Sequence, residues 1–230
     1  MIIAVIPARG GSKRIKKKNI KKFLNRPIIS YPIKEIQRSK LFDKIIVSTD
    51  NKEITKISKK IGAEVLFRRP KQLSGDYATT QEVIIHAAKW LTNNNYKPSI
   101  ICCIYPTSVF ASYDDLKKSY KLFLKNKCNF IISATNYTYP IQRAFYKKKD
   151  GTIKMFQPKN YFKRSQDLKK SYHDAAQFYW GTYDTWLYKK NLFDKKTKAY
   201  LIPQLKVRDI DNIEDWKIAE KIYLANNKKN

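Results

Sequence analysis

The sequence predicts an α/β fold in which a mostly parallel sheet carries helices on both faces. Three observations support this: short apolar runs alternate with amphipathic helical patterns, turn residues separate them, and the chain of 230 residues is long enough for one domain with a full core. Because 43% of the residues are hydrophobic and 13% aromatic, wholesale disorder is excluded despite a formal net charge of +29. We expect a single domain, residues 1–230, with one inserted segment.

Strands and helices alternate along the chain, and each is predicted from its own pattern. Continuous apolar runs are typical of strands buried on both faces. In chain order, the predicted strands are residues 2–6, 44–48, 64–67, 99–104, 130–134, 177–180 and 199–202. Apolar residues at helical spacing predict the helices between them. These are residues 28–38, 52–61, 80–91, 114–124 and 213–225.

Residues at the helix ends support these limits. Gly62 follows the second helix as a natural C′ residue. Thr79 and Glu82 have the spacing of a capping box at the start of the third helix, and Asp211 and Glu214 have the same spacing before the last helix. Thr79 and Asp211 therefore have a structural interpretation beside any functional one.

Residues 137–172 interrupt the alternation. The segment is rich in lysine, tyrosine, proline and glutamine and contains no clean helical pattern. We interpret it as an inserted arm, which serves either in dimerisation or as a lid over a substrate. Its aromatic-rich part, residues 137–145, is predicted to pack within the arm rather than to stack on nucleic-acid bases.

The excess of basic residues suggests nucleic-acid binding, since the isoelectric point is about 9.9. However, the lysines are scattered through every segment, with short runs at 16–18, 147–149 and 228–229. No helix-turn-helix, zinc-finger or RNA-recognition motif occurs in the sequence. We attribute much of the charge to compositional drift and expect no specific nucleic-acid partner. A basic nucleic-acid-binding protein stays as the distant alternative.

Cysteine and apolar patterns exclude further classes. Cys102 and Cys103 are adjacent in an apolar run and Cys128 stands alone, so neither a disulfide framework nor a zinc site is expected. No apolar run approaches the roughly 20 residues that a membrane helix needs. The apolar opening, residues 1–6, has its basic residues after it, which reverses the order of a signal peptide. We expect a cytoplasmic protein without a membrane partner.

The loop after the first strand carries the strongest chemical pattern. Ligands of an open parallel sheet bind beyond the carboxyl ends of its strands. Here Gly10 and Gly11 let backbone N–H groups approach an anion, while Arg9, Ser12 and Lys13 add charge and donors. The loop fits neither G-x-x-x-x-G-K-[ST] nor G-x-G-x-x-G, which argues against P-loop hydrolysis and dinucleotide binding. A flexible basic turn is the plain alternative to a phosphate site.

Asp209 and Asp211 form a second chemical pattern. Alternate residues of an extended segment point the same way, so both carboxylates can face one hard cation. Asp211 also has the capping interpretation given above, whereas Asp209 has none. As a pair, they are better explained by a metal ion.

In motifs and their order, the chain resembles the sialic-acid-type cytidylyltransferases, which activate nine-carbon keto-sugar acids with CTP. The matching segments span essentially the whole chain. They are Ala8-Arg9-Gly10-Gly11-Ser12-Lys13-Arg14 with Lys18-Asn19, Ile46-Val47-Ser48-Thr49-Asp50, Arg69-Pro70 with Leu73 and Asp76, Pro106-Thr107-Ser108, and Asp209-Ile210-Asp211. Residues 164–168 and 172–175 are most similar to the pseudaminic acid branch.

The resemblance implies a three-layer, Rossmann-like nucleotidyltransferase fold, an arm that supports a homodimer, and Mg²⁺ as cofactor. It implies CTP and a nine-carbon keto-sugar acid as substrates. The implied catalytic residues are Arg9, Lys13, Lys18, Asp209 and Asp211, with Mg²⁺ on the two aspartates. The residues implied to contact the nucleotide are Ala8, Arg9, Gly10, Gly11, Ser12, Lys13, Asn19, Arg69, Thr79, Thr80 and Tyr105.

Two positions depart from the family pattern. The proline that is usual between the loop's arginine and lysine is missing, since Ile15-Lys16-Lys17 fills the gap and affects the loop's rigidity. Tyr105 stands where the sialic acid enzymes carry a base-contacting glutamine. Backbone groups near residues 8 and 105–108 are therefore alternative contacts for cytosine.

The acceptor sugar is expected under the arm. The residues implied to bind it are Gln142, Arg143, Arg164, Gln166, His173 and Asp174. The first four are donors suited to a carboxylate and N-acyl groups, and the last two replace a Pro-Asn pair of the sialic acid branch. We predict pseudaminic acid as the acceptor, with sialic acid, legionaminic acid and Kdo as alternatives. For His173, a structural role is the plain alternative.

Overall fold

A computed structural model describes residues 1–188 and 191–227 of the chain. The lysine run at 228–229 lies outside the described residues. Within them, ten strands form one six-stranded sheet and two short two-stranded sheets. The strands are β1 (Ile2–Pro7), β2 (Lys22–Phe23), β3 (Arg26–Pro27), β4 (Lys44–Ser48), β5 (Ile100–Ile104), β6 (Phe130–Asn136), β7 (Phe145–Lys147), β8 (Ile153–Met155), β9 (Tyr172–Thr182) and β10 (Lys198–Leu201).

Six α-helices occur in the same described part of the chain. They are α1 (Ser30–Ser39), α2 (Lys52–Lys60), α3 (Thr80–Asn93), α4 (Tyr113–Asn126), α5 (Tyr183–Tyr188) and α6 (Ile213–Asn227). The short α5 was not predicted. None of the described helices combines the length and the apolar character needed to cross a bilayer. Gly62 follows α2 with a φ of +85°, which confirms its predicted role after the helix.

The large sheet is mostly parallel, as predicted. Its strand order is β10-β6-β9-β5-β1-β4, and β1 runs parallel to both β4 and β5. Only β9 runs against its neighbours, since it pairs antiparallel with β5 on one side and with β6 on the other. The predicted strand over 177–180 is the middle of this longer strand of 11 residues.

Helices cover both faces of the sheet, so the molecule has three layers. Successive residues of a strand point to opposite faces. Accordingly, Ala4 and Ile6 belong to the core shared with α1, α2 and α4, whereas Ile3 and Val5 belong to the core shared with α3 and α5. All four side chains are fully buried, which explains why β1 appears as an unbroken apolar run in the sequence.

Residues 64–67 do not form the predicted strand. Glu64 makes a single bridge with Ile46, and Arg68 makes another with Thr49. Three residues lie between Glu64 and Arg68 but only two between Ile46 and Thr49, so the register changes and the pairing with β4 is interrupted. The second bridge delivers the next residue, Arg69, to the carboxyl end of β4, where the site lies.

Residues 137–171 connect β6 to β9 and contain the β7–β8 hairpin, which was not predicted. This segment, the arm, exposes several large apolar side chains. Those at least half exposed are Tyr139, Phe145, Ile153, Phe156, Tyr161 and Phe162.

Candidate active site

A cavity of about 290 Å³, the loop cavity, opens beyond the carboxyl ends of β1 and β5. Many of the residues predicted to bind or activate the nucleotide line it. They are Arg9, Ser12, Lys13, Lys18, Asn19, Arg69, Thr80, Tyr105, Asp209 and Asp211. The other predicted nucleotide contacts, at positions 8, 10, 11 and 79, are not among its lining residues.

Buried hydrogen bonds fix the loop that follows β1. The Ala8 N–H donates to the Ser48 carbonyl at 2.9 Å, which ties the start of the loop to the end of β4. The Asn19 amide donates to the Arg9 carbonyl at 2.9 Å, and Asn19 is only 6% exposed. Ala8 and Asn19 therefore hold the loop that presents the Arg9 side chain to the cavity.

The two glycines of this loop have different roles. The Gly10 N–H donates to Asp50 Oδ1 at 2.8 Å, so this amide is already engaged within the protein. A Cβ at position 10 would lie 2.8 Å from the Asn51 side chain, which caps α2. At Gly11 a Cβ would meet nothing within 4 Å. The close packing against Asn51, rather than an anion, is what requires glycine at position 10.

An aspartate from the loop before α3 binds both cations at the mouth of the loop cavity. Asp76 lies 2.9 Å from the Arg9 guanidinium and 2.6 Å from the Lys13 ammonium. Its hydrogen bonds to Lys13 and then to Arg9 lower the pKa of the Asp76 carboxyl. Asp76 is one of the residues that match the family pattern, but the resemblance implies no role for it. In this structure its carboxylate binds the two cations that the sequence predicts for phosphate binding.

Arg69 lines the loop cavity near the carboxyl end of β4, where its backbone N–H donates to the Thr49 carbonyl. It is 4% exposed, and its guanidinium donates to the Ser48 hydroxyl at 3.1 Å and to the Ser48 carbonyl at 2.5 Å. Burial lowers the pKa of Arg69 to about 10, which leaves it protonated at neutral pH. The cavity thus contains a buried positive charge held by neutral partners.

The two threonines at the start of α3 make different contacts. The Thr79 side chain and Glu82 form the predicted capping box, which confirms the structural interpretation of Thr79. The hydroxyl of Thr80 instead lies 2.7 Å from the Tyr105 hydroxyl, inside the loop cavity. Burial raises the pKa of Tyr105 to about 12, so its phenol is neutral and available for hydrogen bonding.

The segment that carries the two aspartates is anchored by the residue between them. Ile210 is fully buried in a separate apolar cluster with Phe23 from β2 and Trp216 from α6. The Lys18 ammonium donates to the Ile210 carbonyl at 2.7 Å and lies 3.6 Å from Asp211. With Ile210 anchored inward, the flanking carboxylates turn toward the cavity.

The predicted capping box of Asp211 and Glu214 is wrong. The box is formed one residue later: the Asp215 N–H donates to Asn212 Oδ1 at 2.9 Å, and the Asn212 N–H donates to Asp215 Oδ2 at 3.2 Å. Which residue caps α6 depends on where the chain enters the helix, and the anchoring of Ile210 sets that point. The Asp211 carboxylate is left for cations, and Arg14 binds it at 2.8 Å.

The aspartate pair suits a hard divalent cation. Although Asp209 keeps contact with solvent, partial burial raises the pKa of its carboxyl, and the charge of Asp211 adds to the rise. A cation between them would relieve both effects. Among the described residues no group of three or more His, Cys, Asp or Glu side chains is placed to hold a metal. Two carboxylates with the remaining positions open to phosphate and water is the arrangement that Mg²⁺ favours.

A second cavity of about 480 Å³, the side cavity, lies on the other side of the aspartate pair. Asp209 and Asp211 line both cavities. The other lining residues are Thr135, Thr138, His173, Gln204, Val207, Arg208 and Asp215. Of the six residues predicted to bind the sugar, only His173 lines it. Arg208, which no sequence motif had marked, contributes a cation that is paired with Asp215 at 2.5 Å.

The other predicted sugar-binding residues make contacts within their own segment. The Gln142 amide donates to the Lys169 carbonyl at 2.6 Å, the Arg143 guanidinium donates to the Lys163 carbonyl, and Arg164 pairs with Asp167 at 2.8 Å. Gln166 lines a separate cavity at the base of the arm. Asp174 binds groups of its own strand, as described below. A role for these residues in sugar binding stays a prediction.

Comparisons with known proteins give a consistent result. A family model described as "Cytidylyltransferase" matches residues 3–229. Over 97% of its length the chain is 42% identical to the "Pseudaminic acid cytidylyltransferase" of Campylobacter jejuni subsp. jejuni serotype O:2, of which it covers 97%. It is 32% identical over 95% of its length to the Helicobacter pylori "Pseudaminic acid cytidylyltransferase and UDP-2,4-diacetamido-2,4,6-trideoxy-beta-L-altropyranose hydrolase", of which it covers 42%.

The fold also has a solved counterpart. The structure of "CMP:2-keto-3-deoxy-manno-octonic acid synthetase complexed with CTP" matches with a TM-score of 0.72, over 98% of this chain and 99% of that chain, at 11% sequence identity. At that identity the likeness concerns the fold alone. It confirms the predicted three-layer, Rossmann-like fold.

Proposed function

The chain belongs to the cytidylyltransferase family, and from that premise we propose that it transfers CMP from CTP to the anomeric hydroxyl of pseudaminic acid and releases pyrophosphate. The observation that carries this proposal is the position of Asp209 and Asp211, which line both the loop cavity and the side cavity. A donor in one cavity and an acceptor in the other would meet at these carboxylates.

The loop cavity binds CTP in this proposal. Arg9, Ser12 and Lys13 contact the triphosphate, since they are the donors at its mouth, and Asp76 gives way to the incoming phosphates. Thr80 and the neutral Tyr105 phenol lie deeper and contact the ribose and the base. Lys18 fixes the aspartate segment through the Ile210 carbonyl and adds positive charge beside it.

Mg²⁺ is the cofactor in this proposal, and Asp209 and Asp211 would hold it. When bound, it supplies Lewis-acid polarisation of the phosphate and offsets negative charge. Arg14, which now pairs with Asp211, would be released to the phosphates.

The reaction joins the anomeric oxygen to the α-phosphorus. The bond between the α-phosphorus and its bridging oxygen to the β-phosphate breaks, pyrophosphate leaves with the electron pair, and the proton of the hydroxyl passes to solvent water. Positioning and electrostatic stabilisation carry most of the rate enhancement in such transfers. Arg9 and Lys13 stabilise the charge that develops on pyrophosphate.

The side cavity holds the acceptor, and the arm supports a homodimer. Phe162 is 91% exposed and Tyr139 is 81% exposed, and apolar surface of this kind is typical of an interface.

The enzyme works in the cytoplasm, where CTP is available, and the free state of Cys102, Cys103 and Cys128 is consistent with a reducing compartment.

Pyrophosphate release tests this proposal. Purified protein is incubated with CTP and Mg²⁺ and with pseudaminic, legionaminic or N-acetylneuraminic acid or Kdo. We expect release with pseudaminic acid at a kcat/KM well above that for the other acceptors. Release with another acceptor only would keep the transfer and contradict the acceptor. No release with any acceptor, from a folded protein that also fails to bind CTP, would contradict the function.

A further inference from the structure

The register of β6 and β9 shifts beside the side cavity. Ile132 pairs with Tyr179, and the next pair is Ala134 with Asp174, so one residue of β6 faces four residues of β9. Within this bulge Ala176 has a φ of +51°, in the left-handed backbone region that residues other than glycine rarely adopt. Such a conformation persists only where its surroundings hold it in place.

The carboxylate of Asp174 holds the bulge. Its Oδ1 accepts the Ala176 N–H at 2.8 Å, and its Oδ2 accepts the Tyr179 hydroxyl at 2.7 Å. From the opposite strand, Ser133 Oγ accepts the N–H groups of Gln177 at 3.2 Å and Phe178 at 3.1 Å. Both oxygens of Asp174 are thus engaged within its own strand.

The bulge sets the register at which His173 pairs, and the Asp174 carbonyl sets its tautomer. Its Nδ1 lies 2.9 Å from the Asp174 carbonyl, and because a carbonyl only accepts, Nδ1 carries the hydrogen. In the neutral ring Nε2 is then a hydrogen-bond acceptor. His173 pairs across the sheet with Thr135 and lines the side cavity, and its ring contacts the tilted ring of Tyr137 at a centroid distance of 4.9 Å.

Asp174 also connects this strand to the loop cavity. The Tyr179 ring packs edge-on against Tyr105 at 5.6 Å, and Tyr105 binds Thr80 in the loop cavity. Burial raises the pKa of Tyr179 well above its usual range, with Tyr105 and Asp174 adding to the rise. Tyr179 therefore stays a neutral donor to Asp174.

We infer that Asp174 is a positioning residue rather than a sugar ligand: it stabilises the bulge that places His173 in the side cavity, where Nε2 accepts a hydrogen bond from an N–H or O–H group of the acceptor sugar. This inference rests on the proposed function, since it concerns the acceptor of that reaction. It assigns the contact with the sugar to His173 and an indirect role to its neighbour.

A double-mutant cycle tests the inference. Asp174→Ala, Asp174→Asn, His173→Ala and the double variant His173→Ala/Asp174→Ala are compared with the natural sequence, and KM is measured for acceptor and CTP separately. Asp114→Ala, an exposed acidic position outside both cavities, is the matched control. Thermal unfolding checks that each variant is folded.

We expect His173→Ala and Asp174→Ala each to raise the acceptor KM about tenfold, with the CTP KM within about twofold. The acceptor KM of the double variant should be about the same as that of either single variant, because Asp174 acts through His173. Asp174→Asn should restore most of the loss, since its oxygen still accepts the Ala176 N–H and its amide N–H can donate to the Tyr179 hydroxyl oxygen. Asp114→Ala should match the natural sequence.

Two results would overturn the inference. If the double variant lost the product of the two single effects, Asp174 would contact the sugar independently. If folded Asp174→Asn were as impaired as Asp174→Ala, the carboxylate charge rather than the bulge would matter. Inactivity of the natural sequence with every acceptor would instead contradict the proposed function.

Discussion

The loop cavity and the arm differ in how their polar side chains are held. In the loop cavity, residues from distant parts of the chain meet because β1, β4 and β5 end near one another. Cations there form ion pairs with carboxylates from other segments, as Arg9 and Lys13 do with Asp76. In the arm, the polar side chains contact neighbours in the same segment, as Arg164 contacts Asp167. Many large apolar side chains of the arm are exposed instead.

This difference separates a cavity whose lining residues all come from one chain from a surface that we propose is covered by a second chain. Paired cations and carboxylates in a cavity are ready for exchange with an anionic ligand. Exposed aromatic side chains contribute no burial free energy until another surface covers them. The predictions below test each half of the comparison, beginning with the largest expected effect.

Asp209→Asn should reduce the rate of pyrophosphate release by about three orders of magnitude, since it removes a carboxylate from the point where the cavities meet.

In the absence of metal, Asp209→Asn should also raise the melting temperature. Because the pKa of Asp209 is raised, its charged form is disfavoured in the folded protein. The free energy of unfolding therefore falls as the pH rises from the ordinary pKa of aspartate through the raised pKa of the folded state. The stabilising effect should be largest at neutral pH and vanish below the ordinary pKa of aspartate. Thermal unfolding at several pH values checks this, and near-normal turnover would contradict the role of Asp209. Asp184→Asn, at an exposed position outside both cavities, is the control.

Phe162→Ser combined with Tyr139→Ser should weaken the homodimer by about thirtyfold or more, because aromatic anchors dominate interface energies. Analytical ultracentrifugation over a range of concentrations measures this. Lys149→Ser, an exposed polar change in the same arm, should leave the dimer intact. A natural protein that is monomeric at every concentration would contradict the interpretation of the arm.

Gly10→Ala should destabilise the fold by about 1–3 kcal/mol, whereas Gly11→Ala should change the free energy of unfolding by less than about 0.5 kcal/mol. The reason is the 2.8 Å approach of Asn51 to a Cβ at position 10 and the open space at position 11. Urea unfolding of both variants gives the comparison. Equal stability of the two would mean that the contact with Asn51 relaxes freely.

Asp76→Asn should lower the dissociation constant for CTP by about two- to fivefold, because a competing carboxylate is removed from Arg9 and Lys13 and exposed ion pairs are weak. Calorimetric titration in low and high salt measures the change, which should shrink as salt screens the charges. Weaker binding of CTP would show that Asp76 positions the two cations instead of competing for them.

Much of the fold could be predicted because its patterns are local. The apolar run of β1 and the capping box of Thr79 and Glu82 are both visible in the sequence and present in the structure. The strand predicted over 64–67 failed because its pattern was right for burial but the edge of β4 provides only single bridges. Strand formation depends on a partner, which a local pattern does not reveal.

By itself, the sequence determined the alternation of strands and helices, the basic loop after β1 and the pair of aspartates. Periodicity, capping and motif order depend on neighbouring residues, and these the sequence contains. Only the tertiary structure decided that Asn212 and not Asp211 begins the last helix, that Asp76 closes on Arg9, and that Asp174 is engaged within its own strand. Each of these depends on which group arrives within hydrogen-bond distance once the core has packed, and a spacing of about 3 Å is fixed by the packed fold.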